Sequence, residues 1–151
     1  HLRTRRQRQM CIRDRLSLND EEARLLSGEN SLLKAAEKIF KMGIKYLIIK
    51  KGEHGSMFFS KNKLFIIPSY PTKKTKDPTG AGDTFAGGIA GFLANQDIIN
   101  FETIKQSILY GTILASFTVE SFGIQSLLDV TKFDINERLN HFKSLTSLNG
   151  D

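Results

Sequence analysis

The run Asp77-Pro78-Thr79-Gly80-Ala81-Gly82-Asp83-Thr84-Phe85 constrains this chain more than any other part of its 151 residues. It is a short turn of small residues that ends in a carboxylate and leads straight into the apolar segment Phe85–Ala94. A turn of this kind at a helix start presents unpaired backbone N–H groups and the positive end of the helix dipole, which together favour an anion. A carboxylate placed inside such a turn repels an anion. It is better suited to take a proton from a group that attacks one. The residues alone leave two readings open: an anion site with a base, or a capped helix start in which Asp83 acts only through the dipole.

Two better-known phosphate loops do not fit. No Gly-Lys-Ser/Thr follows the turn, so it is not a P-loop. A dinucleotide fingerprint would need a third glycine where Phe85 stands.

The pattern around the turn predicts alternating strands and helices. Leu16–Leu18 reads as the end of a strand, and Asn19 caps a helix from about 20 to 26 with acids in its first turn. A second helix is predicted over 31–42, with Leu32, Leu33, Ala36, Ile39 and Phe40 inward and Gly43 closing it. Tyr46–Ile49 is a continuous apolar run, typical of a strand buried on both faces. Gly52–Gly55 forms a turn, and 56–59 with 63–67 form a hairpin around 60–62. Residues 68–76 are loop. A helix over 82–93 contains Gly87, Gly88 and Gly91, which lower helix propensity and imply close packing against a sheet. Helices over 101–119 and 134–145 follow, separated by a break at Ser121-Phe122-Gly123. Strands alternating with helices predict an α/β parallel sheet.

Charge matters because of where it lies. The net charge is +6, but residues 1–15 carry +5 of it, through six arginines and one aspartate. The basic character therefore belongs to an arm, read as a disordered or non-native extension, and no nucleic-acid partner is expected of the domain. No apolar run approaches the ~18 residues of a membrane span, so no membrane partner is expected. Cys11 is the single cysteine and the three histidines are scattered, which argues against a disulfide scaffold or a zinc site and fits a cytoplasmic location.

Asp77 to Ala90 fits, at every position, the second signature of the ribokinase-like (PfkB) family of carbohydrate and nucleoside kinases. Asn19-Asp20-Glu21-Glu22 resembles that family's Asn-x-x-Glu motif. Lys50–Gly55 resembles its nucleotide-contacting turn, and Thr118–Gly123 the segment that closes the cation and nucleotide region. Residues 16–148 resemble the C-terminal part of such a kinase. The resemblance implies a ribokinase-like three-layer α/β/α sandwich truncated to its C-terminal half. The early strands, the lid and most acceptor contacts would then lie outside this sequence. An exposed sheet edge, exposed apolar surface and little or no activity of the chain alone are expected.

The resemblance also implies roles. Asp83 is the expected base, and the N–H groups of Gly80, Ala81 and Gly82 the expected anion hole. Lys50, Gly52, Gly55 and Thr112 are expected at ATP. Asn19 and Glu22 are expected to position Mg2+ through water, with plain helix capping as the rival reading. Asp77, Thr79, Thr118 and Gly123 are expected at a monovalent cation, with K+ the candidate. The acceptor would be a small sugar or nucleoside, and a homodimer of the full-length parent is compatible with the family.

Overall fold

The computed structural model describes residues 14–73, 75–120 and 125–147. Most of the arginine arm and Gly123 lie outside the described residues, as does the predicted break at 121–123. The chain divides into two compact units, residues 1–68 and 69–151.

The first unit is a four-stranded sheet carrying two helices. Strand β1 (Arg15–Asn19) leads into helix α1 (Asp20–Ser27) and helix α2 (Leu32–Phe40). Strand β2 (Tyr46–Lys50) returns parallel to β1, with Leu16 opposite Leu47 and Leu18 opposite Ile49. A single 3-10 turn, Gly52–His54, precedes the hairpin of β3 (Ser56–Ser60) and β4 (Lys63–Ile67). The sheet order is β1-β2-β3-β4, and both β2–β3 and β3–β4 are antiparallel. The expected parallel sheet is therefore a mixed one. Only the β1–α1–α2–β2 segment has the long crossover a parallel pair requires, while the short links after β2 return the chain antiparallel.

Side chains alternate across the strands. Leu47 and Ile49 of β2 and Phe59 of β3 pack with Ala23 of α1 and with Ala36 and Ile39 of α2 in one buried cluster. Leu33, expected inward, is 54% exposed, while Ala35 takes the buried position. The arm also ends earlier than expected. Arg15 pairs with Tyr46 in the sheet. The Asp14 carbonyl accepts from the N–H groups of Lys45 and Tyr46, and its carboxylate meets the Lys45 ammonium at 2.7 Å. Among the described residues β1 and β4 are the sheet edges, and Leu25 (87%) and Ile66 (60%) are large exposed apolar side chains.

The second unit is helical. Helix α3 (Ala81–Ala94) packs on helix α4 (Phe101–Val119), followed by the short α5 (Gln125–Asp129) and then α6 (Lys132–Thr146). Ile104, Ile108 and Ile113 of α4 are buried as their spacing predicts. Of the α3 glycines, Gly88 is explained by close packing on α4, not on a sheet, while Gly87 and Gly91 meet nothing within 4 Å. A methyl group on Gly88 would lie 2.9 Å from the Gly111 Cα, and one on Gly111 2.7 Å from the Phe85 carbonyl oxygen. Helix α5 was not anticipated, and α6 starts two residues earlier than predicted because Thr131 and Asp134 form a capping box. No helix among the described residues is long and apolar enough to cross a membrane.

Candidate active site

The Gly-rich turn of the second unit is built from its own hydrogen bonds. The Asp77 carboxylate accepts the Thr79 N–H at 2.9 Å, closing an Asx turn around Pro78. The Asp77 carboxyl is held below its ordinary value, first by the Thr79 hydroxyl and then by the Thr79 N–H. Gly80 follows with φ 83°, a left-handed conformation in which any side chain would be strained.

Helix α3 then begins at Ala81, and its first intrahelical bond runs from the Thr84 N–H to the Gly80 carbonyl at 2.9 Å. The N–H groups of residues 81–83 precede that bond. That of Ala81 donates to the Pro78 carbonyl at 3.2 Å. Among the described residues no partner is present for those of Gly80, Gly82 and Asp83. Of the three residues expected to form the hole, Ala81 engages its N–H within the turn while those of Gly80 and Gly82 are open, as is that of Asp83. No side chain caps this helix. The Asp83 side chain is exposed in the first turn, where the dipole favours its charge.

The end of α4 forms the other wall. The Val119 carbonyl accepts from the N–H groups of Lys76 (2.8 Å) and Asp77 (3.4 Å). Thr118, 1% exposed, donates its hydroxyl to that of Thr84 at 2.9 Å, and its methyl group would lie 3.9 Å from a methyl placed on Gly80. Asp77, Thr79, Gly80–Asp83 and Thr118 therefore share one locale, as the motif implied. The Thr118 carbonyl accepts the Glu120 N–H. Thr112 behaves differently. It is 8% exposed and its hydroxyl donates to the Ile108 carbonyl of its own helix at 2.8 Å, so its hydroxyl proton is spent within the helix.

The remaining candidates belong to the first unit. Asn19 and Glu22 satisfy each other in a reciprocal capping box. The Glu22 N–H donates to the Asn19 side chain at 2.7 Å, and the Asn19 N–H donates to the Glu22 carboxylate at 2.8 Å. The capping reading is realised, and one Glu22 carboxylate oxygen stays available. Among the described residues, no three or more His, Cys, Asp or Glu side chains gather into a metal cage.

Lys50 closes β2, and the Lys51 N–H donates to the Gly55 carbonyl at 2.8 Å across the 3-10 turn. Gly52 and Gly55 both have positive φ, yet they differ in role. A methyl group on Gly55 would sit 2.1 Å from the Ile67 carbonyl oxygen, while one on Gly52 would meet open space. Gly55 is needed by the fold. Gly52 leaves bare backbone open to an approaching molecule.

Thr84 was not singled out from the sequence, although it directly follows Asp83. Its partner Thr118 stands thirty-four positions away, and no local pattern announces the pair. Arg138 was missed for the same reason. It reaches from α6 to the Ser116 hydroxyl (2.9 Å) and the Glu120 carboxylate (2.8 Å), and lies over the Phe117 ring at 3.7 Å.

Comparison with known proteins gives the family and the fold. Residues 11–131 match the model of the pfkB family carbohydrate kinase. The chain is 34% identical over 130 residues to a bifunctional ribokinase/ribose-5-phosphate isomerase A of Fructilactobacillus sanfranciscensis, covering 83% of this chain and 23% of that protein. It is 37% identical over 83 residues to a nucleoside kinase of Methanocaldococcus jannaschii, covering 54% and 26%. Among solved structures, a provisionally named ribokinase II of E. coli, in complex with ATP and Mg2+, superposes with a TM-score of 0.68 at 26% identity, over 85% of this chain and 39% of that one. The chain thus spans well under half the length of these relatives. The α/β architecture is ribokinase-like, and the chain belongs to the pfkB family of carbohydrate kinases.

Proposed function

We propose that the protein carrying this chain is an ATP-dependent phosphotransferase acting on a hydroxyl, most simply the hydroxymethyl group, of a sugar. The observation that carries this reading is the exposed Asp83 carboxylate in the first turn of an uncapped helix whose Gly82 and Asp83 N–H groups stand open. In this reading the acceptor oxygen attacks the γ-phosphorus, the bond to the β–γ bridging oxygen breaks, and ADP leaves. The Asp83 carboxylate takes the hydroxyl proton as that oxygen bonds to phosphorus. The N–H donors face the equatorial charge on the phosphoryl group, where one such donor is worth about 2.7–4 kcal/mol of barrier.

Lys50 and the open backbone at Gly52 are assigned to ATP. Mg2+ would be held through water by Asn19 and Glu22, and it would supply charge neutralisation on the phosphates. Asp77 and the carbonyls of Thr79, Thr118 and Gly123 are assigned to a monovalent cation. A nucleoside acceptor is the second reading, supported by the 37% identity to a nucleoside kinase.

The test is acceptor-dependent ADP formation, measured with ATP, Mg2+, and a panel of pentoses, hexoses and nucleosides. ADP release that needs one acceptor class supports the proposal. Binding of ATP with no turnover on any acceptor, or ADP release indifferent to the acceptor, contradicts it.

A further inference from the structure

Helix α3 has an unusual start. The residue at its cap position, Gly80, has no side-chain oxygen, so the usual Ser, Thr, Asp or Asn cap is absent. Something else must hold the first turn, because an error of about 1 Å in the placement of reacting groups lowers rate by roughly a hundredfold. Two attachments are made at this end, both to the end of α4. The Val119 carbonyl takes the Lys76 and Asp77 N–H groups, which fixes the chain entering the turn. The Thr118 hydroxyl donates to the Thr84 hydroxyl, which fixes the helix leaving it.

The second attachment sets an angle. Consecutive side chains on a helix are about 100° apart around its axis. Pinning Thr84 against α4 therefore determines the direction in which Asp83 leaves the helix, and Asp83 is exposed while Thr118 is buried. Thr118 is itself held firmly. Arg138 binds Ser116, two residues before it, and Glu120, two residues after it at the helix cap.

We propose that Thr84 and Thr118 are a positioning pair whose hydroxyl–hydroxyl bond orients Asp83 and the open N–H groups of the turn. This rests on the phosphotransferase reading above for its consequence in catalysis, but the bond's effect on the turn is separable from it. The test uses Thr84→Val, Thr118→Val, the double substitution and Thr84→Ser. Amide hydrogen exchange at Thr84 reports the bond to Gly80, and Leu47 in the first unit serves as the control.

Exchange at Thr84 is expected to quicken in either valine variant, with Leu47 unchanged and Thr84→Ser close to the parent. In the phosphotransfer assay, kcat is expected to fall by about ten- to a hundredfold, with KM for ATP essentially unchanged. The double variant should be no worse than the worse single one, since both remove the same bond. Unchanged Thr84 exchange overturns the proposal, and so do additive losses of kcat. If the parent shows no phosphotransfer, the functional reading fails by itself, and the exchange result alone decides whether the pair holds the turn.

Discussion

Gly88 and Gly111 meet across the α3–α4 interface so closely that neither has room for a methyl group. The contact lets the two helix backbones approach each other, about one turn along α3 from Thr84 and about two turns along α4 from Thr118. Gly111→Ala is expected to destabilise the second unit by about 1–3 kcal/mol, because the new methyl would press on the Phe85 carbonyl, which cannot yield cheaply, and on the Ile89 and Phe85 side chains. Gly87→Ala is the control. Nothing lies within 4 Å of its added methyl, and a helical alanine is favoured over glycine by roughly 0.8–1.0 kcal/mol. Denaturant unfolding of both variants checks the pair. Equal effects would show that the interface is looser than described.

Gly55 ends the 3-10 turn against the Ile67 carbonyl, with φ 86°. Gly55→Ala combines left-handed strain with a backbone clash, and each term is worth about 1–3 kcal/mol. The substitution should lower the midpoint of unfolding of the first unit more than any other single glycine change there. Gly52→Ala should cost only the strain of its positive φ. Comparing the two by urea unfolding separates the fold requirement from the ligand-facing one.

The Asp77 carboxyl titrates below its ordinary value of 3.8 because Thr79 hydrogen-bonds its charged form. A folded-state value lower than the unfolded one means that the ionised form stabilises the turn. That contribution is complete above the unfolded value and is lost as pH falls through the lower folded one. Carboxyl NMR should therefore place the Asp77 midpoint below 3.8, and Thr79→Val should move it upward. A midpoint at or above the ordinary value would mean the Asx turn is not formed.

Asn19 and Glu22 cap the first helix by bonding to each other. Asn19→Ala should thus cost the first unit about 1 kcal/mol in metal-free buffer. Asn19→Asp keeps the cap and should cost little. A loss that depends wholly on added Mg2+ would contradict the capping box as the resting state of these residues.

What could be read in advance follows from how local the determining physics is. The capping residue Asn19, the apolar run of β2 and the hairpin after it depend on neighbours within a few positions, and all were legible. Gly88 was also legible as a packing signal. Its partner was not, because Gly111 lies on another element and nothing near Gly88 names it. Alternation predicts a parallel sheet and the hairpin predicts one antiparallel pair, but the short Gly52–Gly55 link also returns β3 antiparallel to β2, which alternation does not reveal. At the site, the motif indicated which residues gather at Asp83. It could not reveal that Ala81 spends its N–H on Pro78, nor that Thr84 and Thr118 bond, since both depend on the folded path of the chain.

The central claim is that Asp83 works as a base and not as a helix-capping charge. The measurement that tests it most directly is Asp83→Asn in the active protein, with kcat for acceptor phosphorylation and the dissociation constant for ATP determined side by side. Asparagine keeps the shape and a dipole at the helix start but cannot accept the proton. The account predicts a kcat lower by roughly a hundred- to ten-thousandfold with ATP affinity essentially retained. A variant that turns over at the parent's rate would contradict it.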